Sequence, residues 1–457
     1  MLKPDKLKND LKVLKIHKPA SKIVVVGFVV PTGLILEQGI FTPGINYILE
    51  RLLYNGTEKY PSVRTLSLAV ENLGGHMHTF VNLETFQIYL EVPDYNQFKA
   101  LSLLANIIQN CRFNQNDLEA EKHNLKELLI QNNQEENPGE EGKQYFINKF
   151  YINSDVDQAN LISLDALMSI NREQVIDYFT CQFQPQNACL VISGNFDSDD
   201  LGRLIDQEWT YWNPKGFNPV PTLAIRKNAD LILPNITYKQ RGRLFTELHM
   251  GFLLDSSPIN RFYDSETGDR FEGQTYRKAL DEYLLDIARA LVLNQILGLG
   301  NSSKLWQKTV EEEILFGHIN SDLVLMANCN YLRIFGILDH SQFSFGLEAL
   351  LNVLETMTKN TVSINELSKA KELIKGRLIL EHENLLLKTI WEVGNYLATG
   401  GAYELDDLLN IVHKIQANEI RTLADNLFRQ NKAAVIILGT NKETRVVERL
   451  VERYLRN

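Results

Sequence analysis

Cysteine is scarce: Cys111, Cys181, Cys189 and Cys329 are the only four in 457 residues, and none form a C-x-x-C pair or a zinc-type Cys/His spacing. That scarcity excludes a disulfide framework and a cysteine-built zinc module, and reduced thiols in a reducing compartment are expected. A membrane span is also missing, because the apolar run 23–31 is far too short to cross a bilayer. The first 22 residues are rich in lysine but hold no arginine, include Asp5 and Asp10, and carry no apolar signal core. They therefore read as neither a secretory signal nor an organelle transit peptide, and the cytoplasm is expected. An excess of positive charge is lacking too. With 47 Lys+Arg against 57 Asp+Glu the formal net charge is -10, which argues against a nucleic-acid partner. Hydrophobic residues at 44% and charged residues at 23% suit a soluble globular protein with material for two cores.

The chain repeats itself. Residues 173–194, EQVIDYFTCQFQPQNACLVISG, read as an amphipathic helix, a turn and a buried strand ending in glycine. Residues 419–439, EIRTLADNLFRQNKAAVIILG, read the same way with one residue fewer, and each strand leads into a further helix, near 199–209 and 443–455. Upstream, LEAEKHNLKEL at 118–128 matches LSKAKELIKGR at 367–377, with Leu118 over Leu367, Lys122 over Lys371 and Leu125 over Ile374. Leucine-rich helices at 100–109 and 347–357 precede the two copies. Two matches in the same order at nearly one offset, too long for a solenoid repeat, indicate two homologous domains at 1–215 and 235–457. The Pro- and Gly-bearing segment 216–234 reads as the linker.

Within each half, strands and long helices mix without a regular βαβ rhythm. TFQIYLEV at 85–92 alternates as a half-buried antiparallel strand does. The expected class is α+β, two homologous domains each built of an antiparallel sheet with helices packed on one face. Segment 255–277 is polar and aperiodic and predicts a disordered or functional loop. The acidic run at 135–141 predicts a solvated loop.

Residues 31–61, PTGLILEQGIFTPGINYILERLLYNGTEKYPS, carry a resemblance. They are similar to the signature segment of the insulinase, pitrilysin and mitochondrial processing peptidase family, in which a Gly-containing strand end leads to a helix bearing His-x-x-Glu-His, then an aromatic residue, Gly and Thr. That last part stands here as Tyr54-Asn55-Gly56-Thr57. Leu73-Gly74-Gly75-His76-Met77-His78-Thr79 resembles the family's Gly-Gly stretch, which opens the strand that pairs with substrate. LNQILGLGNSSKLWQKTVEEE at 293–313 resembles its second-half glycine turn and helix. The resemblance implies a half-clamshell shape, with Gly75, His76, His78 and Thr79 on the peptide-binding strand.

The family's zinc chemistry does not carry over. Two histidines at i and i+4 hold the metal with neutral imidazoles, and the Glu before the second acts as general base. Those positions here are Tyr47, Glu50 and Arg51, so only the Glu is kept. Tyrosine, with a phenol pKa of about 10, is a poor zinc ligand at neutral pH. Arginine has no lone pair to give and places a fixed positive charge where the cation would sit. The third ligand is a later glutamate; the nearest candidate is Glu127, while the usual spacing falls on Leu128. No bound zinc or other cofactor is therefore expected, and Arg51 could instead pair with Glu50 or Glu127 to link two helices. The resemblance also implies that helper subunits supply an Arg and a Tyr seven apart. The matching positions here are Val310 and Gly317, or Glu311 and His318, and neither choice gives that pair.

Other constellations are weaker. Leu297-Gly298-Leu299-Gly300-Asn301-Ser302-Ser303-Lys304 fails the phosphate-loop spacing and reads as a turn between two helices. His76 and His78 lie on one face of a strand and could bind metal, alone or with Glu50 in a rebuilt catalytic site. The leading expectation is a catalytically inactive metallopeptidase-like subunit that binds peptide or pairs with a related subunit bearing an intact zinc motif. An active enzyme with a rebuilt site, or a purely structural subunit, are the alternatives.

Overall fold

A computed structural model of the chain describes residues 4–34, 37, 41–134, 139, 142–143, 163–214, 235–240, 242, 245–254, 261–262, 270–325, 330–401, 403–439 and 444–455. The chain forms two compact units. The first comprises residues 1–136, 161–224 and 381–397; the second comprises 137–160, 225–380 and 398–457. By chain order residues 381–397 fall in the second half, yet they pack with the first unit. The linker 216–234 lies outside the described residues.

The first unit holds a six-stranded sheet of β1 (Asp5–Lys6), β2 (Lys12–His17), β3 (Ile23–Val30), β4 (His76–Val81), β5 (Phe86–Pro93) and β6 (Cys189–Gly194), in the order β1-β2-β6-β3-β5-β4. All pairs are antiparallel except β2 with β6, which run parallel. β3, IVVVGFVV, is apolar without alternation because both its faces are covered. Val24, Val26, Phe28 and Val30 point into a core shared with α1 (Ile45–Tyr54), α3 (Gln97–Gln109), α6 (Arg172–Gln182) and α7 (Ser198–Trp209), named in chain order with α2 (Val63–Glu71), α4 (Gln115–Gln134) and α5 (Leu164–Ser169). Val25 and Val29 point the other way, into a second core with Leu14, Ile16, Tyr89, Cys189 and Val191.

That second core is closed by the helix Leu385–Thr399, through Leu385, Leu386, Val393 and Tyr396. Burying each such side chain is worth about 1.5–3 kcal/mol, which explains why this segment belongs to the first unit. Here the structure adds to the expectation of helices on a single face. The alternation at 85–92 also does not leave β5 half-exposed: Gln87 and Tyr89 are buried along with Phe86 and Ile88, and Tyr89 packs in the core that the helix Leu385–Thr399 closes.

The second unit repeats the sheet as β7 (Asn235–Gln240), β8 (Phe245–Leu254), β9 (Phe316–Val324), β10 (Asn330–Asp339) and β11 (Ala433–Gly439), in the order β7-β11-β8-β10-β9. The parallel pair recurs as β11 with β7, and the edge strand β9 takes the place of β4. The duplication extends to single atoms. Lys122 Nζ donates to the Ile170 carbonyl at 2.9 Å, and its sequence counterpart Lys371 donates to the His413 carbonyl at 2.7 Å. Each ammonium thus ties a long helix to the turn before the next one.

Other sequence expectations meet mixed outcomes. In segment 255–277, residues 273–277 are not loop: they open the helix Gly273–Leu297. Phe262 is fully buried against Tyr276 and Tyr283, and Arg261 pairs with Asp286 at 2.5 Å; 255–260 and 263–269 lie outside the described residues. Of the acidic run 135–141 only Gly139 is described, and it is anchored: its N–H donates to Glu247 Oε2 at 2.8 Å. The turn expected at 297–304 ends one helix at Leu297 and begins the next at Lys304. Among the described residues no helix is long and apolar enough to cross a membrane.

Candidate functional site

The degenerate motif lies on α1, whose start is fixed by an unusual device. Gly44 caps the helix at φ 97°, a left-handed conformation that suits glycine. The cap side chain comes from further back: Glu37, 1% exposed, accepts from the Gly44 N–H at 2.6 Å and the Asn46 N–H at 2.8 Å. Its carboxylate thereby satisfies two of the helix's orphan donors. Burial outweighs those hydrogen bonds and pushes the Glu37 pKa up to about 7. Tyr178 on α6 locks the same corner, with its hydroxyl 2.6 Å from Thr32 Oγ1 and donating to Asn46 Oδ1 at 2.9 Å. No sequence motif marks Glu37 or Tyr178. The available signal was a lone Glu seven residues before the glycine that opens the motif helix.

From that fixed start, Ile45, Ile48, Leu49, Leu52 and Leu53 enter the core, and Tyr47 packs against its margin, half-buried. Glu50 and Arg51 are left beside the sheet edge and α4. Glu50 Oε1 accepts from Thr79 Oγ1 at 2.7 Å, which ties the helix to β4. The Tyr54 hydroxyl joins this group, 3.4 Å from Thr79 Oγ1, and its pKa is raised first by burial, with the Glu50 charge adding to it.

Arg51 does link two helices, but through a residue the sequence reading did not name. Its Nη1 lies 3.5 Å from Glu121 Oε2 on α4. Glu121 is further held by Asn55 Nδ2 at 3.2 Å and Asn124 Nδ2 at 3.4 Å. Glu127 and Leu128, the two sequence candidates, are both exposed. The 3.6-residue period explains the difference: Leu118 and Leu125 face the core, so Glu121, one turn from each, is turned toward α1 while Glu127 points outward.

β4 separates the remaining candidates. Gly75 opens it where a Cβ would stand 2.2 Å from the Glu91 carbonyl oxygen, so only glycine lets the strand approach β5. Met77, Thr79 and Val81 face the helices, where Thr79 meets Glu50. His76, His78 and Phe80 alternate to the opposite face. A single metal site built from Glu50 with His76 or His78 is therefore not formed, because the sheet lies between them. Among the described residues β4 is an edge of the sheet, with β5 as its one strand partner. In the second unit, Val310 and Glu311 lie on the helical turn Gln307–Glu312, and Gly317 and His318 on β9.

Do these residues fit the zinc that such a helix holds elsewhere? A guanidinium engaged with a carboxylate has no lone pair to offer, and Glu50, the one retained member, is committed to a hydroxyl donor. They do not fit, and no reaction step is derived through a metal at this place.

Comparison with known proteins places the whole architecture. The profile described as "Insulinase (Peptidase family M16)" matches residues 12–153, and "Peptidase M16 inactive domain" matches 169–374. The chain belongs to the insulinase family, peptidase family M16. An uncharacterized zinc protease of Bacillus subtilis is 23% identical over 437 residues, covering 96% of this chain and 98% of the relative. One of Rickettsia felis is 24% identical, covering 94% and 96%. Among solved structures, a protease from Helicobacter pylori superposes with a TM-score of 0.78 at 16% identity, covering 96% of this chain and 99% of that one. A peptidase M16 inactive domain from Pseudomonas fluorescens gives 0.76 at 16% identity, covering 96% and 98%. These two show the shared insulinase-family fold. The "inactive domain" description covers residues 169–374, whereas the altered Tyr47–Arg51 motif lies in the stretch matched by the insulinase profile.

Proposed function

We propose that this insulinase-family chain is catalytically inactive and holds an extended peptide along β4, paired with a related subunit that bears an intact His-x-x-Glu-His. The observation that carries this reading is the Arg51–Glu121 pair at 3.5 Å, which puts a fixed cation and its counter-ion where the chemistry would need an open metal. What remains around it still suits binding. Among the described residues β4 is the edge strand of its sheet, the position at which a peptide can add a strand. The Thr79–Glu50 hydrogen bond ties that strand to α1.

A second reading takes support from the relatives named zinc proteases: catalysis through a site rebuilt around other residues. Glu50 and the two histidines on opposite faces of β4 count against the grouping expected from the sequence. The discriminating experiment is hydrogen exchange of the chain with and without a tryptic digest of casein. Slowed exchange confined to 76–81 supports strand addition; an unchanged edge with protection elsewhere, or none, counts against it.

A further inference from the structure

The far face of β4 carries a group of side chains that the proposed function leaves unused. His76 and His78 project from it at i and i+2, and Glu91 on β5 is the direct cross-strand partner of His76. His78 Nε2 lies 3.5 Å from Glu91 Oε2, yet among the described residues it makes no hydrogen bond and the nitrogen is buried from solvent. For a hydrogen bond that separation is long. It is, however, the separation expected of two ligands on one metal. Bonds of about 2.0–2.2 Å at a tetrahedral centre place neighbouring donor atoms about 3.4 Å apart.

Local packing sets the position of the His78 ring. Tyr89, the cross-strand partner of His78, lays its ring over Gly27 of β3, where a Cβ would stand 2.3 Å from the ring. His78 is thereby left between Phe80, stacked parallel at 6.4 Å, and the Glu91 carboxylate. The third donor is the exposed His76, whose ring centroid is 6.3 Å from that of His78. Two imidazoles on one zinc have centroids about 5–6 Å apart, so rotation about the His76 side-chain torsions closes the set. Among the described residues no three such side chains already converge on one point; His76 supplies the missing step.

We infer that His76, His78 and Glu91 form a binding site for a divalent transition ion, zinc foremost, on the face of the sheet opposite the degenerate motif. Two imidazole nitrogens and one carboxylate oxygen are the donor set that suits borderline ions rather than calcium or magnesium. Such an ion clips the edge strand β4 to β5, acting on the strand's position rather than on a bond.

The test uses the full-length chain without a histidine tag, stripped of metal. Zinc is titrated by calorimetry, and cobalt(II) is followed in parallel by its visible absorption. The expected result is one zinc per chain, with affinity falling about tenfold or more in His76→Ala and again in Glu91→Gln, while circular dichroism shows both variants folded. Because His76 is exposed, its replacement leaves the fold intact. No zinc binding by the wild-type chain overturns the inference, as does binding that survives both substitutions. Loss of binding in Glu50→Gln, with His76→Ala unaffected, overturns it too and moves the metal to the motif side. These outcomes are separate from the peptide-exchange result, so either proposal can fail alone.

Discussion

Replacing Glu37 with Gln removes a buried titrating group from the root of the motif helix, and the consequence can be worked through. Burial raises its pKa from the ordinary 4.5 to about 7. Below 4.5 the carboxyl is protonated in both folded and unfolded chains. Between 4.5 and about 7 the folded chain holds a proton that the unfolded chain has lost, so stability falls as pH rises through this window and levels off above it. At about 1.36 kcal/mol per pH unit, that span amounts to about 3 kcal/mol. Gln keeps the shape and one acceptor, but turns an amide N–H₂ toward one of the Gly44 and Asn46 donors, at a cost of about 1–2 kcal/mol. It no longer titrates. Urea unfolding of both proteins at pH 5, already inside the window, and at pH 8 should therefore show the variant gaining about 2.5 kcal/mol on the wild type between the two. A difference that stays flat, or a wild type that gains stability with pH, would mean that the two N–H donors and the helix dipole keep Glu37 ionised. Burial would then not be what sets the charge of Glu37.

Two further outcomes follow from the same geometry. Arg51→Met keeps the apolar stem and loses only a half-exposed ion pair at 3.5 Å, so the cost should be about 0.2–1 kcal/mol, and a thermal midpoint lowered by more than about 4 °C would show that the pair does more than link two helices. Gly75→Ala forces a Cβ to within 2.2 Å of the Glu91 carbonyl oxygen and should cost about 1–3 kcal/mol, with faster amide exchange along 76–81; unchanged exchange there would mean that β4 does not depend on this close approach.

The duplication and the α+β class were legible because they rest on periodicities within one chain, such as the Lys122 and Lys371 helices, which do the same work in both halves. The exchanged helix Leu385–Thr399 was not legible, since an amphipathic helix announces an apolar face but not which sheet it covers. At the site, the loss of two histidine ligands could be read residue by residue. The identity of the Arg51 partner could not, because it depends on the rotation of α4 relative to α1: a count along the chain lands on Glu127, and the helical period delivers Glu121. His76 and His78 were legible as a pair on one face. Their separation from Glu50 needed the register of β4 against β5, which places Thr79 rather than His78 on the helix side.

The central claim is that the motif on α1 no longer catalyses. The most direct test is hydrolysis of a tryptic casein digest by the chain alone in zinc-containing buffer, beside its Glu50→Gln variant, with products read by mass spectrometry. The account predicts no cleavage by either protein above the buffer blank. Zinc-dependent cleavage by the wild type that disappears in Glu50→Gln would contradict it and make Glu50 a working base.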